Sequence, residues 1–129
     1  MCGIFGYIGS KRATPILIDG MRRLEYRGYD STGIAIKNGD ISVFKKVGKV
    51  SEMQSILPLN IQGISGIGHT RWATHGGVTD ANAHPHASAS GDVVIVHNGI
   101  INNSRLLRAS LMAQGVELKS ETDSEALAH

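Results

Sequence analysis

The sequence predicts an α+β domain, and three observations predict it. Residues 33–46, GIAIKNGDISVFKK, alternate on both sides of Asn38-Gly39, which is the pattern of a β-hairpin. Ile16, Leu17, Gly20, Met21 and Leu24 form an apolar stripe at helical spacing. No linker, internal repeat or domain boundary interrupts the 129 residues, so hairpins and helices belong to one domain at most.

Residues 2–8, CGIFGYI, are rich in β-formers and predict a strand that ties the N-terminus into a sheet. Thr14 and Pro15 read as N-cap and first position of the helix that follows, with Gly28 as its stop. Asn38-Gly39 predicts a type I′ turn, which places positive φ at both central residues. Ser51-x-x-Gln54 fits a capping box on a short helix that Pro58 keeps from running far. Residues 64–71 predict another strand, and 72–90 a long loop of the kind that is usually functional. DVVIVH at 92–97 is a continuous apolar run typical of a buried strand, ended by Asn98-Gly99. Asn103 or Asn102 then caps a helix carrying Leu106, Leu107 and Leu111 and closed by Gly115. A short strand over 116–119 and a second capping box, Thr122-x-x-Glu125, opening a further helix, follow.

Composition removes several function classes. Thirteen Lys and Arg against eleven Asp and Glu leave a formal charge of +2, too small and too dispersed to mark a nucleic-acid binder. The longest strictly aliphatic run, Val93–Val96, falls far short of the roughly 20 residues a membrane helix needs. The N-terminus also lacks the features of a signal peptide. One cysteine excludes an intramolecular disulfide and any CxxC metal motif, so the chain reads as cytoplasmic, without membrane or nucleic-acid partners. Sixteen glycines in 129 residues exceed the usual share of about 7% and point to turns and close backbone approaches.

The cysteine stands at position 2. If Met1 is removed, Cys2 carries a free α-amino group with an ordinary pKa of about 7.7–8.0 beside a thiol at about 8.5. One residue then supplies both nucleophile and base for attack on an amide or ester carbonyl. Such attack creates an oxyanion, and Asn98 with Gly99, at the end of a predicted strand, offers a carboxamide and a backbone N–H to receive it. Arg71 beside Trp72 can grip a carboxylate through two parallel hydrogen bonds. Five of the six histidines, His69, His75, His84, His86 and His97, fall between 69 and 97. Pro85 separates His84 from His86, and no Asp, Glu or Cys pattern nearby completes a ligand spacing. Hydrogen bonding within the loop and its flanking strands is therefore the favoured reading of these histidines, with no metal and no cofactor, and a non-catalytic histidine-rich metal-binding fragment is the rival reading.

CGIFG at the N-terminus, RRLEYRGYDSTG at 22–33, HTRWATHG at 69–76, NAHPH at 82–86, HNGII at 97–101 and SETDSE at 120–125 together resemble one family. It is the glutaminase domain of the glutamine–fructose-6-phosphate aminotransferases. The wider class of amidotransferases with an N-terminal cysteine shares a looser version of these blocks, and its amidophosphoribosyltransferase and asparagine synthetase branches are the alternatives. The resemblance implies the N-terminal-nucleophile hydrolase fold, an αββα sandwich of antiparallel sheets between helices. Residues 1–129 would be its N-terminal half, incomplete at the C-terminus.

The resemblance also implies that Cys2 forms a γ-glutamyl thioester with L-glutamine and that Asn98 and Gly99 make the oxyanion hole. Arg71 would bind the α-carboxylate and Asp123 the α-ammonium. Trp72, Thr74, His75 and Gly76 would belong to the loop that closes over glutamine, while Arg27 and Gly28 support the nucleophile's strand. Glutamate and ammonia are the implied products. Ammonia would pass to fructose 6-phosphate held by a C-terminal sugar isomerase region outside the 129 residues, and the full-length enzyme would be a homo-oligomer.

Overall fold

The computed structural model describes residues 1–74 and 76–129. Its main sheet is antiparallel and contains β1 (Gly3–Ile8), β2 (Ser31–Asn38), β3 (Asp40–Val47) and β4 (Ser65–Arg71), in the order β1-β4-β2-β3. β4 enters between β1 and β2, pairing Gly3 with Thr70 and Ser31 with Arg71. This register brings Cys2, the residue before β1, level with Arg71 at one end of the sheet.

Side chains alternate across a strand, so each face of the sheet collects its own set. Ile34 and Ile36 of β2 pack with α1 (Ala13–Leu24) and α2 (Val50–Ser55). Leu17, Met21, Ile34, Val50 and Met53 are completely buried there, and burying each such side chain contributes roughly 1.5–3 kcal/mol. Gly68 of β4 lies under Met21, which turns Ile67, His69 and Arg71 to the opposite face. On that second face sit β5 (His86–Ala87) and β6 (Val94–Ile95), an antiparallel pair, with α4 (Glu125–Ala128) against them and α3 (Ser104–Ala113) against α4. The layers run helix, sheet, sheet, helix, the α+β sandwich expected from the sequence. Gly6, Ile8, Ala35, Ile67 and Val94 line an apolar groove on the rest of this face. No helix among the described residues is long and apolar enough to cross a membrane.

Local expectations fail mainly where the partner that ends an element is distant in sequence. Thr14 and Pro15 lie inside α1, which opens one residue earlier without a side-chain cap; the Ala13 N–H donates to the Gly63 carbonyl at 2.8 Å instead. Ser51 does not cap α2. Glu25, just past α1, accepts from the Val50 N–H at 2.6 Å and so caps α2 from another element. Gly39 has φ +72°, but no described non-glycine residue has positive φ, so Asn38 does not take the conformation of a type I′ turn. The buried strand expected over 92–97 shrinks to the half-buried Val94–Ile95, whose partner among the described residues, β5, is two residues long. Residues 116–119 form no strand.

Thr122 does not cap α4 either. It bonds Ser120 and His86, while Glu125 reaches back to the Lys119 N–H (2.6 Å), the Ser120 N–H (2.8 Å) and the Ser120 hydroxyl (2.7 Å). Burial pushes the Glu125 carboxyl up, but these bonds outweigh it and hold the group below the usual carboxylate range.

Candidate active site

The end of the sheet where β1 and β4 meet opens into a cleft. It is lined by Cys2, Arg71, Trp72, Thr74, His84, His97, Asn98, Gly99, Thr122, Asp123 and Ser124. Five separate segments contribute to it: the N-terminus, the end of β4 with the residues after it, His84 before β5, the turn that follows β6, and the stretch before α4.

Cys2 is half-buried, and its Sγ accepts from the Trp72 N–H at 3.2 Å. The sulfur also lies 3.5 Å from the Trp72 carbonyl. This close approach depends on Gly28: a Cβ there would stand 2.9 Å from the Trp72 nitrogen and 3.0 Å from the Met1 carbonyl oxygen, both backbone atoms that cannot step aside. Arg27 stays outside the cleft but accepts from the Met1 amino group through its carbonyl at 2.5 Å. The sequence-predicted RG pair therefore anchors the N-terminus against the end of β4.

Asn98 presents two ends. Its Oδ1 lies 2.7 Å from His69 Nε2, and its Nδ2 donates to the Cys2 carbonyl at 3.4 Å. Gly99 follows directly along the cleft wall. Asp123 Oδ2 accepts from the Ile101 N–H at 2.7 Å, a bond that joins the turn after β6 to the segment before α4. Ser124 bridges the same two segments by donating to Asp123 Oδ1 (3.3 Å) and meeting His97 Nδ1 at 3.0 Å.

Arg71 is 4% exposed. Its guanidinium donates to the Gly77 carbonyl at 3.0 Å and the Gly76 carbonyl at 3.5 Å. Burial lowers its pKa, while Cys2 and Asp30 nearby oppose the shift. Asp30 also accepts from the Ala73 N–H at 2.9 Å, and Asn82 with Glu121 grips the Gly76-Gly77 turn from the other side. Trp72 is half-exposed and edge-on to Tyr29 at 6.3 Å. Thr74 lines the cleft. Of the residues to which the resemblance gives a role, His75 lies outside the described residues; all the others except Gly76, Arg27 and Gly28 line the cleft, and those three support it.

Beneath the cleft the sequence conceals a further feature. His69 stacks on His84 with ring centroids 4.3 Å apart, and His84 meets His86 edge-on at 4.5 Å. The described residues bring no three His, Cys, Asp or Glu side chains into a metal-holding group. Burial lowers the pKa of His69 to about 4, despite the Asn98 hydrogen bond that raises it. Burial, reinforced by the neighbouring rings and Arg71, lowers that of His84 to about 2. For His86 burial and then the Lys45 charge lower it to about 3. All three rings are neutral near pH 7.

In the unfolded chain each ring returns to about 6.5, so below that value the unfolded state binds more protons than the folded one. The contribution of these rings is intact above pH 6.5 and is lost progressively as pH falls toward the folded values. Each ring accounts for up to about 1.4 kcal/mol per pH unit. The expected outcome is a denaturant midpoint that these rings leave nearly level from pH 8.5 to 7.5, that begins to fall by pH 6.5 and that is clearly lower at pH 5.5. A level profile through pH 5 would show that the rings are not buried as neutral groups.

Three comparisons bear on this site. The model of the family described as glutamine amidotransferase domain matches residues 59–129. Along its whole length the chain is 51% identical to the glutamine–fructose-6-phosphate aminotransferase [isomerizing] of Chlorobaculum tepidum and 53% identical to that of Thermus thermophilus. It spans 22% of each, about a fifth of the length of these relatives. Among solved structures, the glutamine phosphoribosylpyrophosphate amidotransferase from B. subtilis, complexed with ADP and GMP, superposes on the entire chain. The TM-score is 0.81 at 28% identity, over 28% of that protein. A structure described as the allosteric regulatory enzyme of purine biosynthesis gives 0.83 at 30% identity, again over the entire chain and over 29% of its own length.

Proposed function

Because the chain belongs to the glutamine amidotransferase family, we propose that it releases ammonia from the side-chain amide of L-glutamine at Cys2. The observation that supports this best is the convergence of a near-terminal thiol, a buried guanidinium, a carboxamide and a carboxylate on one cleft. Each group has a task that the others cannot perform.

Removal of Met1 frees the Cys2 amine. The sulfur attacks the glutamine Cδ carbonyl carbon while the amine takes the thiol proton. The oxyanion that forms is received by Asn98 Nδ2–H and the Gly99 N–H. Collapse of this intermediate breaks the C–N bond, the amine returns the proton, and ammonia leaves behind a γ-glutamyl thioester. Water then releases glutamate and restores the thiol. Arg71 holds the α-carboxylate and Asp123 the α-ammonium, which places the amide carbon over the sulfur. Trp72 and Thr74 form the wall that shields the thioester from stray water.

The acceptor belongs to the same proposal. Identity above 50% to fructose-6-phosphate relatives, against 28–30% to the phosphoribosyl and purine-pathway structures, favours fructose 6-phosphate as the sugar that takes the ammonia, giving glucosamine 6-phosphate. On this reading residues 1–129 are the N-terminal part of a glutaminase domain in a cytoplasmic homo-oligomer whose isomerase region lies beyond them. In the intact protein, glutamine labelled with ¹⁵N in the amide is expected to yield glucosamine 6-phosphate carrying the label when fructose 6-phosphate is supplied. Label appearing instead only with phosphoribosyl pyrophosphate would overturn the acceptor assignment.

A further inference from the structure

A carboxamide has an acceptor end and a donor end of nearly equal size, so Asn98 can serve an oxyanion only if something fixes which end faces the sulfur. Two neighbours do so here. The Cys2 carbonyl oxygen, which can only accept, faces Nδ2 at 3.4 Å. Asn98 Oδ1, which can only accept as well, lies 2.7 Å from His69 Nε2 and requires a proton on that nitrogen. His69 Nδ1 is buried without a hydrogen-bond partner among the described residues. A neutral ring protonated at Nε2 leaves only a lone pair there, whereas an N–H at Nδ1 would be a buried donor without an acceptor. The ring is 1% exposed and stacked on His84, so it has little freedom to rotate away.

We infer that His69 is a positioning residue for the amidotransferase reaction: its Nε2–H holds Asn98 Oδ1 and thereby keeps Asn98 Nδ2 turned toward the reacting carbonyl. The inference rests on the reading of Asn98 as an oxyanion donor. His69 touches neither the sulfur nor glutamine and acts through Asn98 alone.

The test is a double-mutant cycle in the intact protein. His69→Leu is expected to lower kcat for glutamine hydrolysis roughly 10- to 100-fold, the scale of a misplaced catalytic group, with KM nearly unchanged. Alkylation of Cys2 by iodoacetamide, a displacement at saturated carbon that develops no oxyanion, should keep its wild-type rate. Asn98→Ala alone should cost about 10²–10³ in kcat, and His69→Leu added to it should cost nothing further, because the two act as one unit. His69→Gln retains an N–H donor and should recover part of the loss. Should the leucine variant fail to fold, the glutamine variant carries the same cycle, its smaller loss of kcat vanishing beside Asn98→Ala. Undiminished kcat in the His69 variants, losses that multiply with Asn98→Ala, or slowed alkylation would overturn the positioning role. Undiminished kcat in Asn98→Ala would instead remove the oxyanion reading on which it stands.

Discussion

Cys2→Ala is expected to lower glutamine hydrolysis by on the order of 10⁴-fold or more, while unfolding free energy stays within about 1 kcal/mol of the parent. The two outcomes have separate causes. The thiol is half-buried at the edge of a cleft and touches the protein mainly through the Trp72 backbone. Its removal therefore opens no core cavity and leaves an N–H that water can reach. Chemically nothing nearby replaces it, since Cys2 is the only cysteine in the chain.

Cys2→Ser keeps the hydrogen bond to Trp72 and isolates the chemistry, because a hydroxyl is a far poorer nucleophile than a thiolate at neutral pH. Ammonia release measures turnover, and mass spectrometry of the active protein should find Cys2 as the first residue. Turnover that survives Cys2→Ala would overturn the thioester mechanism. So would labelling of any other residue by a diazo-ketone analogue of glutamine.

The sequence reveals the parts of this site more readily than their joints. Alternation located β1 and the β2–β3 hairpin, although β2 is buried on both faces over Ser31–Ile36, and register then placed Cys2 beside Arg71. Capping rules failed at α2 and α4 for one reason: they look three residues along the chain, whereas the atoms that satisfy these segments come from elsewhere. Glu25 caps α2 across the hairpin, and Glu125 turns back to 119–120 instead of pairing with Thr122.

His69 and Asn98 stand 29 residues apart, and no periodicity links them. The histidine-rich stretch was visible, but spacing alone relates those rings to metal ligation or loop hydrogen bonding. What the fold makes of three of them is a buried, neutral stack under the cleft. Asp123 is tied to the cleft by a bond from the Ile101 N–H, a partner 22 residues away that no local pattern marks.

Arg71→Met should lower kcat/KM for glutamine by on the order of 10³-fold, because removing one partner of a desolvated, hydrogen-bonded charge pair costs about 2–5 kcal/mol. The loss should fall mainly on KM, since the carboxylate is held alike in the ground and transition states. Arg71 is nearly buried at the end of β4, and although burial lowers its pKa, a guanidinium remains charged at any working pH. Its bonds to the Gly76 and Gly77 carbonyls orient the fork, so a part of the effect will come from loosening that turn. A substrate comparison separates the two contributions. An amide that retains the glutamine side chain but lacks the α-carboxylate never engages the guanidinium, so Arg71→Met should slow its hydrolysis by only the turn-loosening share, less than about tenfold. Arg71→Lys keeps the charge but loses the paired donors, and its kcat/KM should lie between those of the methionine variant and the parent. Equal losses for both substrates would mean that Arg71 only builds the turn and that the α-carboxylate is bound elsewhere in the cleft.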